Sequence, residues 1–107
     1  MASSKNYKVS CVGIDDNGLG IRLVFYVYGV KTITEAIEQV LSDPKRQFLM
    51  KKYEIDPALT TFRTVRCNQD GSVPPSDQIK EEKNREDEDK EIAEKAHQQK
   101  YYYLDRQ

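Results

Sequence analysis

The chain has 107 residues, of which 37% are hydrophobic and 33% charged, with 17 basic side chains against 18 acidic ones. No apolar run approaches the roughly 20 residues of a membrane-spanning helix, no basic-then-apolar leader follows Met1, and two cysteines are too few for a disulfide framework. Membrane proteins, large enzymes and secreted disulfide scaffolds are therefore poor readings, and a cytoplasmic protein is expected. The charge balance hides an asymmetry: residues 1–76 carry 10 basic and 8 acidic side chains, residues 77–107 carry 7 and 10. One compact α+β domain over 1–76 is expected, continued by a charged helical extension over 77–107 with a Tyr-rich end.

Tyr7 to Ile14 alternates apolar and polar residues and reads as a strand. Asp15-Asp16-Asn17-Gly18 follows, and Asn-Gly suggests a type I′ hairpin turn. The second strand is Ile21 to Tyr28. Ile21, Leu23, Phe25 and Val27 should face the core, and Arg22, Val24, Tyr26 and Tyr28 the other way. Thr32 with Glu35 three residues on is a capping-box pattern that starts a helix. Ile33, Ile37, Val40 and Leu41 then recur at helical spacing. Asp43-Pro44 opens a second helix to about Tyr53, with Phe48, Leu49 and Tyr53 as its apolar members and Met50 nearby.

Leu59 to Cys67, rich in Thr, Val and Phe, reads as a third strand. Asn68-Gln69-Asp70-Gly71 is a turn, and Pro74-Pro75 stops any return strand. From Asp77 to about Gln99 the apolar anchors are few: Ile79, Ile92, Ala93 and Ala96. The pairs Glu81–Arg85, Glu86–Lys90 and Glu91–Lys95 each favour a helix by about 0.2–0.5 kcal/mol. A long, largely solvated helix is expected. Tyr101-Tyr102-Tyr103-Leu104 forms either a last strand or a sticky end.

The element order is β-β-α-α-β-α, a β-hairpin and at least one further strand packed on helices. The segment Val27 to Phe62, with its Thr-Ile-Thr-Glu-Ala-Ile helix entry and Lys-Lys-Tyr-Glu-Ile-Asp-Pro exit, resembles β-grasp (ubiquitin-like) domains, Ras-association-type members among them. The resemblance covers about half the chain and implies a fold, not an activity. After Cys67 a charged helix stands where those domains continue with strands.

Cys11 and Cys67 sit in strand-like runs and read as buried, reduced thiols. Two cysteines and the remote His97 lack metal-ligand spacing, so neither metal nor cofactor is expected. His97 lies in a polar segment without an orienting partner, and Asp15-Asp16 reads as part of a plain turn. With no nucleophile–base pair in view, the chain is expected not to be an enzyme, and no small-molecule substrate is evident. Tyr26, Tyr28, Tyr101, Tyr102, Tyr103 and Leu104 are the candidate contacts for a protein partner or a second copy, because tyrosine presents a large apolar body with a polar tip. Lys45, Arg46, Lys51, Lys52, Arg63 and Arg66, interleaved with aromatics, form the alternative, a nucleic-acid-binding surface. A further alternative is an inhibitor that presents the carboxylates between Lys80 and Glu94 as a phosphate-like row. The leading reading is a small non-enzymatic protein–protein interaction or regulatory module, homo-oligomeric if the Tyr-rich end or the outer hairpin face is exposed.

Overall fold

A computed structural model of the chain describes the backbone of residues 4–105 and the side chains of residues 4–95. Strands β1 (Lys5–Ile14) and β2 (Gly20–Val30) form an antiparallel hairpin in unbroken register from Ile14↔Gly20 to Tyr7↔Val27, with one irregularity between Lys5 and Tyr7. Its turn differs from the type I′ expectation. Gly18 has φ +80°, whereas Asn17 keeps a negative φ, and the Gly18 N–H donates to the Asp15 carbonyl at 3.0 Å. The Asp15 carboxylate also accepts the N–H groups of Asn17 and Leu19, each at 2.9 Å. An Asp side chain that bonds its own loop holds this longer connection, and only one left-handed residue is needed.

Helix α1 (Ile33–Ser42) starts with the Thr32 cap expected of a capping box, but the return bond falls one residue earlier, on Lys31 rather than Thr32. The Thr32 hydroxyl accepts the Glu35 N–H, and the Glu35 carboxylate reaches back to the Lys31 N–H. Helix α2 (Pro44–Lys52) takes Asp43 as its N-cap and Pro44 in its first turn. Its buried residue is Met50, not Phe48, which is 69% exposed. A nine-residue helix has one face to bury. Arg46 and Tyr53, four before and three after Met50, share that face, and Phe48 lies about 200° round from it. Ile33 is likewise exposed, because Ala36 and Val40 centre the inner stripe of α1.

The third strand, β3 (Arg63–Arg66), is shorter than the Leu59 to Cys67 expected; it pairs antiparallel with β1, giving the sheet order β2-β1-β3. The Ile14 N–H donates to the Tyr53 carbonyl at 2.7 Å, so the chain leaving α2 already occupies the far end of the β1 edge. Only the stretch from Tyr7 to Ser10 is left for β3. A turn closed by the Asn68 carbonyl and the Gly71 N–H, then a 3-10 turn (Pro75–Asp77), lead into helix α3 (Gln78–Asp105). The backbone of α3 runs through Tyr101–Leu104, which rules out a last strand there. Among the described residues, no helix is long and apolar enough to cross a membrane.

The two sheet faces differ because side chains alternate along each strand. One face presents Tyr7, Val9, Cys11, Leu23, Phe25 and Val27 to α1, α2 and Ile55, and this is the core. The other presents Lys8, Ser10, Val12, Arg22, Val24, Tyr26, Arg63 and Val65, and α3 lies across it.

Cys11 and Cys67 are free and buried, as expected. Burial pushes the Cys11 thiol from its usual 9.0 up to about 12, with Glu88 and Glu91 adding to the rise and Lys95 opposing it. Burial also raises Cys67. Thiolate is the reactive form, so at pH 8 folded Cys11 should react with a disulfide reagent roughly a thousandfold more slowly than in the unfolded chain. Rapid labelling of Cys11 in the folded protein contradicts this.

Candidate functional site

The polar face of the sheet and the helix over it form the densest cluster of charged groups. Lys8 Nζ donates to Glu81 Oε1 at 2.6 Å. Arg22 Nε donates to Glu88 Oε1 at 2.8 Å, and its Nη2 donates to Asp89 Oδ1 at 3.0 Å and to the Arg85 carbonyl at 3.2 Å. Arg63 Nη1 donates to Glu91 Oε1 at 3.0 Å. The Asn84 amide donates to the Thr64 carbonyl at 3.1 Å. Positions 81, 84, 88, 91 and 95 recur at steps of three and four, so they share one face of α3. One basic residue from each strand thus meets one carboxylate from a single helical stripe.

Glu88 stands out within this layer. It is 2% exposed, and its Oε2 has no hydrogen-bond partner among the described residues. It borders a small cavity of about 20 Å³, lined also by Ser10, Val65 and Asn84. A buried carboxylate with one oxygen unsatisfied is costly, and an ion pair of this kind is often no more stable than apolar residues in its place. Apolar support comes from Val12 and Val65, which are buried on this face of the sheet, and from Ile92. Ile92 rests on Gly20, where an added Cβ would lie 3.0 Å from Ile92 Cγ2 and 3.1 Å from its Cα. Gly20 therefore admits the backbone of α3 to the sheet.

Sequence reasoning placed these carboxylates in solvent. The Glu81–Arg85 and Glu91–Lys95 pairs do form, at 3.6 and 3.9 Å, but Glu81 and Glu91 make their shorter bonds to the sheet. The usable signal was twofold: Arg22 assigned to the outward face of its strand, and carboxylates at 81, 88 and 91 in helical phase.

Tyr26 and Tyr28 lie on this same sheet face, toward the start of α3, and are 38% and 48% exposed. The turn at Gly71 packs on the Tyr26 ring. Beside Tyr28 a shallow depression is lined by Ser4, Asn6, Gly29 and Gln69. Tyr101, Tyr102, Tyr103 and Leu104 are helical in backbone; their proposed contacts, and the surroundings of His97, lie outside the described side chains.

The six basic residues do not gather on one surface. Lys45, Lys51 and Lys52 are exposed on α2, while Arg46 turns back to Asp43 at 3.5 Å and to the Tyr26 carbonyl at 2.9 Å. Arg63 lies under α3, and Arg66, paired in register with Tyr7, points from the opposite face of the sheet. Among the described residues, no group of three or more His, Cys, Asp or Glu is placed to hold a metal.

The outer edge of β2 is the other feature without an internal role. The bond from the Asp15 N–H to the Leu19 carbonyl sets the alternation of the hairpin. Odd-numbered residues of β2 bond to β1, so Arg22, Val24 and Tyr26 turn their backbone groups outward. Among the described residues, one hydrogen bond reaches that edge, from Arg46 to the Tyr26 carbonyl. Comparison of the chain with protein-family models, with curated proteins and with solved structures returns no match.

Proposed function

We propose that the chain is a small interaction module that joins a second copy of itself through the free edge of β2. The observation that carries this reading is the edge itself: from Gly20 to Val27 the 11-residue β2 keeps unbroken register with β1. Edge strands present a row of unpaired N–H and C=O groups, and proteins usually blunt them with proline, lysine, bulges or short length. Between Ile21 and Val27 there is no proline or lysine and no register shift, and the one irregularity of the strand lies beyond, between Val27 and Val30. An antiparallel pair of β2 strands about a two-fold axis at Phe25 sets Val24 beside Tyr26 and Arg22 beside Tyr28 across the interface. Such a contact is self-complementary, and its cross-strand pairs join aromatic with β-branched and cationic side chains. The half-exposed Tyr26 and Tyr28 supply contact area next to the seam.

Size-exclusion chromatography with light scattering at low and high salt tests the proposal. The wild-type chain should run as a dimer at both salts. Val24→Pro should run as a monomer with an unchanged circular dichroism spectrum, because the Val24 N–H points outward and its loss breaks no bond to β1. A wild-type monomer at high protein concentration overturns the proposal. So does a dimer that survives Val24→Pro, and if that dimer disappears on truncation after Gln99 the contact belongs to Tyr101–Leu104.

A further inference from the structure

We propose that α3 acts as an internal pseudo-ligand, covering a sheet face that binds the backbone of single-stranded nucleic acid when the helix is displaced. This inference concerns the face of the sheet rather than its edge and does not rest on self-association through β2. Lys8, Arg22 and Arg63 come one from each strand and point from the same face, and none of the sheet residues between them is acidic. Among the described residues, their charges are matched only by Glu81, Glu88, Asp89 and Glu91 of α3. With the helix lifted, the face carries three cations on a flat three-stranded surface. The carboxylates that meet them span about 15 Å of helix, at 1.5 Å per residue from Glu81 to Glu91. They form a row of anions such as a phosphate backbone presents.

Two aromatic rings extend the same surface. Tyr26 and Tyr28 continue along β2 on this face and are half exposed even with α3 in place. A cationic surface that tracks phosphates, with aromatic rings on which bases stack, is the arrangement that holds single strands without reading sequence. An acidic peptide would use the three cations and leave the tyrosines idle. Nucleic acid therefore fits the whole face better.

The cover is built to leave. It is held largely by ion pairs, Glu88 Oε2 is buried without a partner among the described residues, and Val12, Val65 and Ile92 on Gly20 supply its apolar contact. Away from the sheet α3 keeps internal support as a solvated helix, since Glu81–Arg85 and Glu91–Lys95 pair within it. The Asn68–Ser72 turn and Pro74-Pro75 form a tether that keeps it attached.

The test is fluorescence anisotropy with a labelled 20-nucleotide oligouridylate and the full chain. The triple variant Glu81→Gln, Glu88→Gln, Glu91→Gln should bind at least about tenfold more tightly than wild type. Its affinity should fall with salt at a log–log slope of about −2, as for three phosphate contacts on a single strand. Adding Arg22→Ala should cancel much of the gain. Should the triple variant fail to fold, the double variant Glu81→Gln, Glu91→Gln keeps the buried Arg22–Glu88 pair and should still bind about threefold more tightly than wild type. The proposal is overturned if the folded variants bind the oligonucleotide no better than wild type. It is equally overturned if they bind poly-glutamate in preference to the oligonucleotide, which assigns the face to an acidic polypeptide.

Discussion

Replacing Arg22 with alanine will release α3 from the sheet while the hairpin and α1 stay folded. In the native chain Arg22 is the counter-charge of Glu88, which is 2% exposed. Removing one member of a buried pair leaves an uncompensated charge, which costs about 3–5 kcal/mol. At 1.4 kcal/mol per tenfold, the released form gains roughly two to four orders of magnitude in population. The helix leaves because lifting it returns Glu88 to water. The converse substitution, Glu88→Ala, should cost less, about 1–2 kcal/mol, because Arg22 keeps Asp89 and the Arg85 carbonyl. The double variant Arg22→Leu, Glu88→Leu should be close to neutral, since apolar residues of similar volume often replace a buried ion pair without loss. Urea unfolding followed by circular dichroism orders the three variants. If Glu88→Ala is as damaging as Arg22→Ala, the pair does not act as described.

Replacing Phe25 with alanine will instead lower the stability of the whole chain. Phe25 is 6% exposed and lies in the cluster with Val9, Val27, Val40 and Met50. Truncating a buried phenylalanine costs about 3–5 kcal/mol through lost burial and the cavity left behind. For a domain of this size each kcal/mol moves the melting midpoint by about 4–8 °C, so the midpoint should fall by more than about 12 °C in a scanning calorimeter. The loss should be cooperative, because α1, α2 and the hairpin share this one apolar layer. A variant that keeps the native midpoint, or that loses only α3, contradicts the placement of the core.

The apolar side of the molecule was legible in the sequence and the polar side was not. Period-two alternation from Tyr7 and Ile21 fixed the two strands and their core faces, and Thr32, Glu35, Asp43 and Pro44 marked both helix starts. These signals are local, each read within a few residues. The length of β3 was missed because competition between Tyr53 and β3 for the edge of β1 is a long-range matter. Phe48 counts among the apolar members of α2 by residue type, whereas the phase set by Met50 turns it out. The candidate site escaped for a similar reason. Glu81, Glu88 and Glu91 have near neighbours of opposite charge in sequence, and such pairs read as a solvated surface. Their stronger partners, Lys8, Arg22 and Arg63, lie 28 to 73 residues away along the chain. The hairpin, the two helices and the third strand follow in the expected order, whereas β3 runs antiparallel to β1 and a charged helix lies on the second face of the sheet.

Native-state amide hydrogen exchange, compared between the wild-type chain and Arg22→Ala, tests most directly whether α3 is a separately releasable cover. In wild type the amides of residues 80–95 should open with a smaller free energy than those of β1, β2 and α1, as an independent unit. In Arg22→Ala the α3 amides should lose their protection while the strand and α1 amides keep theirs. If helix and sheet exchange with one common free energy in both proteins, α3 is an inseparable part of the core, and the account of the polar face fails.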